Sequence, residues 1–199
     1  VSSEAWNRRY AGADLVWSAG PNRLLAVEVA DLRPGRALDL ACGEGRNAIW
    51  LAEQGWEVTG VDFAEVGLEK ARAIAAQRGV TPHFVCADLL EYRPAAQAFD
   101  LVLVLYLQIP AAERRIVLPR AAAAVSPGGT FLLIGHDLLN LTEGYGGPRD
   151  AAVLYTADDV VADLPGLDVV RAERLLRHVE GAERPALDVV VRATAPAPS

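Results

Sequence analysis

The stretch Arg36-Ala-Leu-Asp-Leu-Ala-Cys-Gly-Glu-Gly-Arg-Asn-Ala48 runs from a short apolar segment through a glycine-rich turn into a helix-like pattern. Ala37 to Leu40 read as a buried strand, and Gly43 and Gly45 let the backbone turn tightly and approach a ligand with no Cβ in the way. The amides that open the following helix then face that ligand. Downstream, Val58-Thr-Gly-Val-Asp62 reads as a second strand ending in an acid 19 residues after Gly43, a separation at which a carboxylate can take ribose hydroxyls. The pair of signals describes a nucleotide-shaped pocket. Gly43-x-Gly45-x-x-Ala48 also satisfies the dinucleotide pattern G-x-G-x-x-G/A, so nicotinamide and flavin ligands remain open at this point.

Working outward, Ala64 to Arg78 has the composition and spacing of a crossover helix, with Gly79 as its stop. His83 to Cys86 is a short strand leading into Ala87-Asp88-Leu89. Asp100 to Leu105 is apolar enough for a central strand. Ala111 to Val125 is an alanine-rich helix that Pro119 is expected to kink or split. Ser126-Pro-Gly-Gly129 reads as a turn before a fifth strand, Thr130 to Gly135. Strand and helix alternating from residue 36 to 136 predict right-handed crossovers and a parallel, doubly wound α/β sheet.

Beyond residue 136 the pattern changes. Asp137 to Tyr155 is a long polar connection, and Thr156-x-x-Asp159 resembles a capping box opening a helix to Leu164. Leu167 to Leu176 and Ala186 to Ala193 are strand-like around the turn-forming 180–185 segment. The expectation is a seven-stranded sheet, mostly parallel, closed by an antiparallel C-terminal edge hairpin. The expected organisation is a helical N-terminal lid segment over 1–33, a main domain over 34–193 and a disordered tail over 194–199.

Composition narrows the partners. With 199 residues, 52% hydrophobic and 23% charged, the chain reads as one soluble domain with a small appendage. No apolar run reaches the ~18 residues of a spanning helix, and no basic-then-apolar start suggests export, so a cytoplasmic protein without a membrane partner is expected. The net charge of −7, with acids scattered along the chain, argues against a nucleic-acid surface and for a small-molecule partner. Cys42 and Cys86 read as free thiols, because the ends of strands one and three lie roughly 9 to 10 Å apart at ~4.8 Å per strand, beyond the ~7 Å limit for a bridge. Neither has a neighbouring His or Cys at ligand spacing, so no metal site is expected. An edge hairpin can be capped or shared, which leaves monomer and homodimer open.

From about residue 34 to 193 the chain resembles the class I S-adenosylmethionine-dependent methyltransferases, which have a Rossmann-like fold. The resemblance rests on Asp39, the glycine turn, Asp62, Asp88-Leu89, Pro127-Gly128-Gly129 and the terminal hairpin. Asp39-Leu-Ala-Cys-Gly-Glu-Gly-Arg-Asn47 is most similar to small-molecule enzymes of the tellurite-resistance and thiopurine type, and Trp6, Tyr10 and Trp17 are similar to that group's cofactor-covering segment. The resemblance implies S-adenosylmethionine as cofactor, with Asp39, Gly43, Gly45 and Asn47 at its amino-acid end. It places Asp62 at the ribose, Phe63 against the adenine, Asp88 and Leu89 at the adenine edge, and Leu105 at the end of strand four. Phe63-Ala64 departs from the small polar residue common there.

The implied reaction is in-line methyl transfer to a small molecule. The cofactor supplies its own leaving group, so the protein contributes chiefly proximity, worth ~7 to 11 kcal/mol. A soft nucleophile needs no base, whereas a hydroxyl or amine can, and the strand ends then nominate Tyr106, Gln108, His136 and Asp137. Adjacent residues on a strand face opposite ways, so His136 and Asp137 need not work as a pair. Arg177 and His178 form a second cluster, suited to an oxyanion. Candidate catalytic residues are therefore His136, Tyr106 and Arg177.

Each assignment has a plainer rival: a helix cap for Asp62, a turn aspartate for Asp88, and core packing for Trp6 and Tyr10 at i, i+4. Rival functions are a nicotinamide-dependent oxidoreductase and a non-catalytic S-adenosylmethionine-binding module. The missing Asn/Asp-Pro-Pro-aromatic motif after strand four counts against nucleic-acid methylation.

Overall fold

The computed structural model describes residues 2–12, 14–16 and 20–197, so Trp17 lies outside the described residues. Two compact units partition the chain, one reaching to Arg93 and including Phe99–Leu103, the other made of Pro94–Ala98 and the chain from Val104 onward. The described residues of the N-terminal segment belong to the first unit.

In the first unit, helices α1 (Ser3–Tyr10) and α2 (Arg23–Glu28) precede strand β1 (Arg36–Leu40), helix α3 (Arg46–Glu53), strand β2 (Glu57–Asp62), helix α4 (Glu65–Gln77) and strand β3 (His83–Cys86). β1 pairs in parallel with β2, and β2 with β3. The expected boundaries hold to within a residue or two because apolar strand runs meet glycine stops: Gly79, just past α4, has φ +70. Ala64, at the start of α4, has no capping side chain; Asn7 of α1 supplies one, its Oδ1 accepting from the Val66 amide at 3.1 Å.

Strand β4 (Phe99–Leu105) crosses the division, with Leu101 to Val104 fully buried. The second unit continues with helix α5 (Ala111–Ala124), strand β5 (Val125–His136), the short α6 (Asn140–Glu143), α7 (Ala157–Ala162), and the hairpin β6 (Asp168–Arg177) and β7 (Ala186–Thr194). The sheet order is β3-β2-β1-β4-β5-β7-β6, and β7 runs antiparallel to both neighbours. This is the seven-stranded, mostly parallel sheet with an antiparallel edge pair that the sequence predicts. The capping box of α7 is present, with Thr156 and Asp159 each accepting from the other's backbone amide.

Three expectations are corrected. α5 is not split at Pro119 but runs unbroken through it. Leu118, Ala121 and Ala122 are buried on either side of the proline, and their packing offsets the ~3 kcal/mol that an interior proline costs. β5 begins at Val125 rather than Thr130. The Ser126–Gly129 segment is drawn into the sheet because Gly128 donates to the Ala195 carbonyl and Ala195 donates to that of Gly129, each at 3.0 Å. The same bonds tie down the start of the expected tail, and Thr194 is part of β7.

Among the described residues no helix is long and apolar enough to cross a membrane, and none of the His, Cys, Asp and Glu side chains cluster in threes suited to a metal ion. Cys42 and Cys86 are unpaired thiols.

Candidate functional site

In the first unit the candidate site is the turn between β1 and α3. Ala41, Gly43 and Gly45 all have positive φ, at 62, 54 and 75. Ala41 carries a Cβ in this region and so stores backbone strain, which concentrates at functional sites. Glycine is required at Gly45, where a Cβ would come within 2.8 Å of the Ala71 Cβ and 3.0 Å of the Phe84 ring. The turn is thus pressed onto α4 and β3. Asp62 holds it there: Oδ2 accepts from the Gly43 amide at 2.8 Å and Oδ1 from the Ala64 amide at 2.9 Å. Asp62 thus braces the turn and the entry to α4, whose N-cap is Ala64 rather than Asp62.

Asp39 lies just before this turn and is 1% exposed, with Oδ2 buried and lacking a hydrogen-bond partner. Burial, reinforced by the Asp62 charge, pushes its carboxyl up to about 7, against the lowering influence of Arg46 and the Ala48 amide. Burial likewise raises Asp62 despite the amide bonds it accepts. Two desolvated carboxyls, one of them with an orphaned oxygen, suit a cationic ligand group.

Glu44, between the glycines, and Asn47, in the first turn of α3, anchor the N-terminal segment. Glu44, 3% exposed, accepts from the Val16 amide at 2.9 Å and from Lys70 Nζ at 3.1 Å. Lys70 also donates to the Asp14 carbonyl at 3.0 Å. Asn47 Oδ1 accepts the Asn22 amide at 2.9 Å, while the Asn22 side chain caps α2. Tyr10, 4% exposed, packs on the same turn: a Cβ on Gly43 would reach within 2.7 Å of its hydroxyl, and one on Gly67 within 3.0 Å of its ring. Trp6 stacks on Tyr10 with centroids 5.3 Å apart, beneath the Arg9 guanidinium. Core packing and proximity to the turn are one arrangement here. Glu44 and Lys70 were missed from sequence; a glutamate within a glycine-rich turn was the available signal.

Glu44→Ala is expected to release residues 14–16, removing a charged hydrogen bond worth ~1.5 to 3 kcal/mol. Hydrogen exchange at the Val16 amide should then accelerate about ten- to a hundred-fold, while amides of β1 keep wild-type protection.

On the third strand's side, Asp88 is exposed and Oδ1 accepts the Leu90 amide at 2.8 Å, forming the turn weighed as its plainer role. Phe63 and Leu89 are half-buried.

The second unit assembles its own cluster. Asp188, fully buried on β7, is the direct cross-strand partner of His136 on β5. His136 Nδ1 lies 3.3 Å from Asp188 Oδ1. Tyr106 donates its hydroxyl to Asp188 Oδ2 at 2.7 Å, and Arg177 Nε donates to the same oxygen at 2.6 Å. Burial raises the Asp188 carboxyl, but hydrogen bonds from His136, Arg177 and Tyr106 outweigh it and hold the group below its ordinary range. Tyr106 has φ 56, a strained turn that ends β4, and its ring meets His136 edge-on with centroids 5.1 Å apart. Leu105, beside it, is buried.

All three residues nominated for chemistry are thus gathered on one carboxylate that was not nominated. A lone acid in Leu187-Asp-Val-Val-Val191 was its signal, since a charge in a buried strand needs partners. Asp137 faces away from His136, as alternation requires, and pairs with Arg174 at 2.8 Å. Gln108 accepts the His136 amide and donates to the Val153 carbonyl, both at 2.8 Å. His178 is exposed just past β6 and belongs to no such cluster in the described contacts.

The sheet order and the glycine turn after β1 make a Rossmann-like α/β architecture. Residues 37–129 match the family described as a methyltransferase domain. The chain is 36% identical over 126 residues to demethylmenaquinone methyltransferase of Thermus thermophilus, covering 62% of this chain and 55% of that one. A solved structure concerned with conversion of a disulfide bond into a thioacetal group during echinomycin biosynthesis superposes with TM-score 0.79 at 22% identity, covering 99% of this chain and 93% of that one. The N-methyltransferase NodS of Bradyrhizobium japonicum, in complex with S-adenosyl-L-homocysteine, gives 0.75 at 17%, covering 98% of each chain. The chain spans 61% and 55% of the length of two curated relatives it matches.

Proposed function

We propose that this chain is an S-adenosylmethionine-dependent methyltransferase acting on a small molecule. The carrying observation is the orphaned Asp39 Oδ2 beneath the glycine turn, a buried acceptor that fits the cofactor's ammonium. Asp62 serves the ribose with its remaining lone pairs, Phe63, Asp88 and Leu89 the adenine, and Tyr10, Trp6, Trp17 and Asn47 the amino-acid end and its cover. Bound there, S-adenosylmethionine supplies an electrophilic methyl group on a good leaving group. His136, Tyr106 and Arg177 serve the acceptor. The buried acids count against a pyrophosphate, and hence against a nicotinamide-dependent oxidoreductase.

Calorimetric titration with S-adenosylmethionine, S-adenosylhomocysteine and NADH tests the reading. Micromolar binding of the first two alone is expected, and binding of NADH alone overturns it. The pH dependence follows from Asp39. Its folded pKa of about 7 lies above the ordinary 3.8, so the ligand-free fold carries the extra proton between these values and loses stability as pH rises through that window. An ammonium requires the ionised form. S-adenosylhomocysteine affinity should therefore rise between pH 5.5 and 8, with proton release on binding at the acid end. Asp39→Asn should remove most of that slope.

A further inference from the structure

We propose that the chain self-associates through β6, the open edge of the sheet, as a two-fold antiparallel strand pair with a second copy of itself, centred on Ala172. The surface lies wholly in the second unit, and the pairing is independent of the methyltransferase reading.

β6 ends the sheet order, bonded to β7 on one side and to no other strand among the described residues. The outward row of amides and carbonyls on such an edge is a template for another strand. Packing does not hide it. Every residue from Asp168 to Arg177 is exposed or half-exposed, and Val169, Val170 and Leu176 stand open to solvent at 44%, 62% and 71%. Large apolar side chains bare along an open edge are a liability unless a partner covers them.

Charge selects the partner and the register. A two-fold axis that relates neighbouring antiparallel strands stands perpendicular to the sheet and places one residue opposite its own copy. Centring on Arg171, Glu173 or Arg174 opposes that charge to itself, which destabilises the pair. Centring on Val170 or Leu175 pairs only half of the strand. Centring on Ala172 puts a small side chain at the axis and sets Arg171 and Glu173, which share a face by alternation, opposite Glu173 and Arg171 of the second copy. These two side chains already pair within the strand at 2.5 Å, so the dimer holds four charges of alternating sign. Outside them, Val169-Val170 of each copy runs beside Leu175-Leu176 of the other and covers the bare apolar side chains. The register shift between Val169 and Arg171 falls in this apolar stretch and adjoins the charged centre without interrupting it. The same charges that fit one another across this axis reject slipped registers.

Sedimentation equilibrium of the chain from about 5 to 500 µM is the test, since one strand pair buries less than the standard interface of about 1,600 Å² and should associate in the micromolar range or more weakly. The weight-average mass is expected to climb from 21.2 kDa toward twice that value, with no larger species, because a two-fold pair uses up the edge. Glu173→Arg opposes like charges on both sides of the axis and should weaken association roughly tenfold or more. Combining it with Arg171→Glu restores opposite charges in the same register and should bring association back to within about threefold of wild type. Leu176→Lys leaves the charged centre intact and should weaken association as well. All three positions are at the surface, so urea midpoints should stay near wild type. In hydrogen exchange, β6 amides should gain protection as concentration rises, while those of β3, at the other edge, should not. A monomer at every concentration, a dimer indifferent to Glu173→Arg, or a charge exchange that fails to restore association overturns the proposal and leaves the edge to a different partner or to water.

Discussion

Asp188→Ala is expected to lower the unfolding free energy by about 3 kcal/mol, the low end of the range for removing one partner from a buried ion pair. The carboxylate is fully buried and accepts from Tyr106 and Arg177 while facing His136. Its loss removes the acceptor that Tyr106 and Arg177 share and leaves a cavity at a cross-strand pair. The Arg177 side chain is 34% exposed and can regain water, which keeps the cost from the top of the range. At a urea slope of ~2 kcal/mol/M, the midpoint should fall by roughly 1.5 M. A midpoint within 0.3 M of wild type, about 0.6 kcal/mol on that slope, would show that the cluster carries no net stability. Because the Asp188 carboxyl is held below its ordinary 3.8, its contribution is fully present above that value and is lost as pH falls through the lower folded value. Asp188→Asn should flatten this acid limb.

Gly45→Ala should be the most damaging single-methyl change in the turn, costing roughly 2 to 5 kcal/mol. About 1 to 2 kcal/mol comes from placing a Cβ at positive φ, and about 1 to 3 from overpacking. The added carbon would meet the Ala71 Cβ at 2.8 Å and the Phe84 ring at 3.0 Å, and both neighbours are buried within the first unit. Relief requires lifting the turn, which breaks the 2.8 Å bond from the Gly43 amide to Asp62. S-adenosylhomocysteine affinity should therefore fall at least about tenfold in whatever fraction stays folded, the equivalent of one ~1.4 kcal/mol hydrogen bond. Gly128→Ala supplies the comparison, because Gly128 has φ +78 and open space around its Cβ position. The difference between the two variants, measured by denaturant unfolding, isolates the crowding.

The two clusters, one in each unit, were legible to different degrees. Gly43, Gly45, Asp39 and Asp62 stand within one strand-turn-helix-strand run, so periodicity and glycine placement reveal them together. The strap bonds from Glu44 to Val16 and from Asn47 to Asn22 join residues 28 and 25 positions apart. No local pattern announces such bonds, and Asn47, nominated as a ligand contact, accepts from the chain's own backbone. In the second unit, Tyr106, His136 and Arg177 could be nominated from strand ends. Their common partner lies 82 residues from Tyr106 and 11 from Arg177, and only strand pairing identifies it.

The corrected boundaries have the same origin. Pro119 breaks helices in isolation, but buried neighbours carry α5 through it. Ser126-Pro-Gly-Gly129 is turn-forming in isolation, but the opposing Ala195 backbone extends β5 across it. The sequence by itself determined the alternation of strands and helices, the glycine turn and the acids around it, because these follow from side-chain size, periodicity and backbone freedom within a few residues. Only the tertiary structure decided which groups share a proton, a charge or a hydrogen bond. Those partnerships depend on register between strands far apart in the chain, and burial then gives Asp39 its raised proton affinity and Asp188 its three partners.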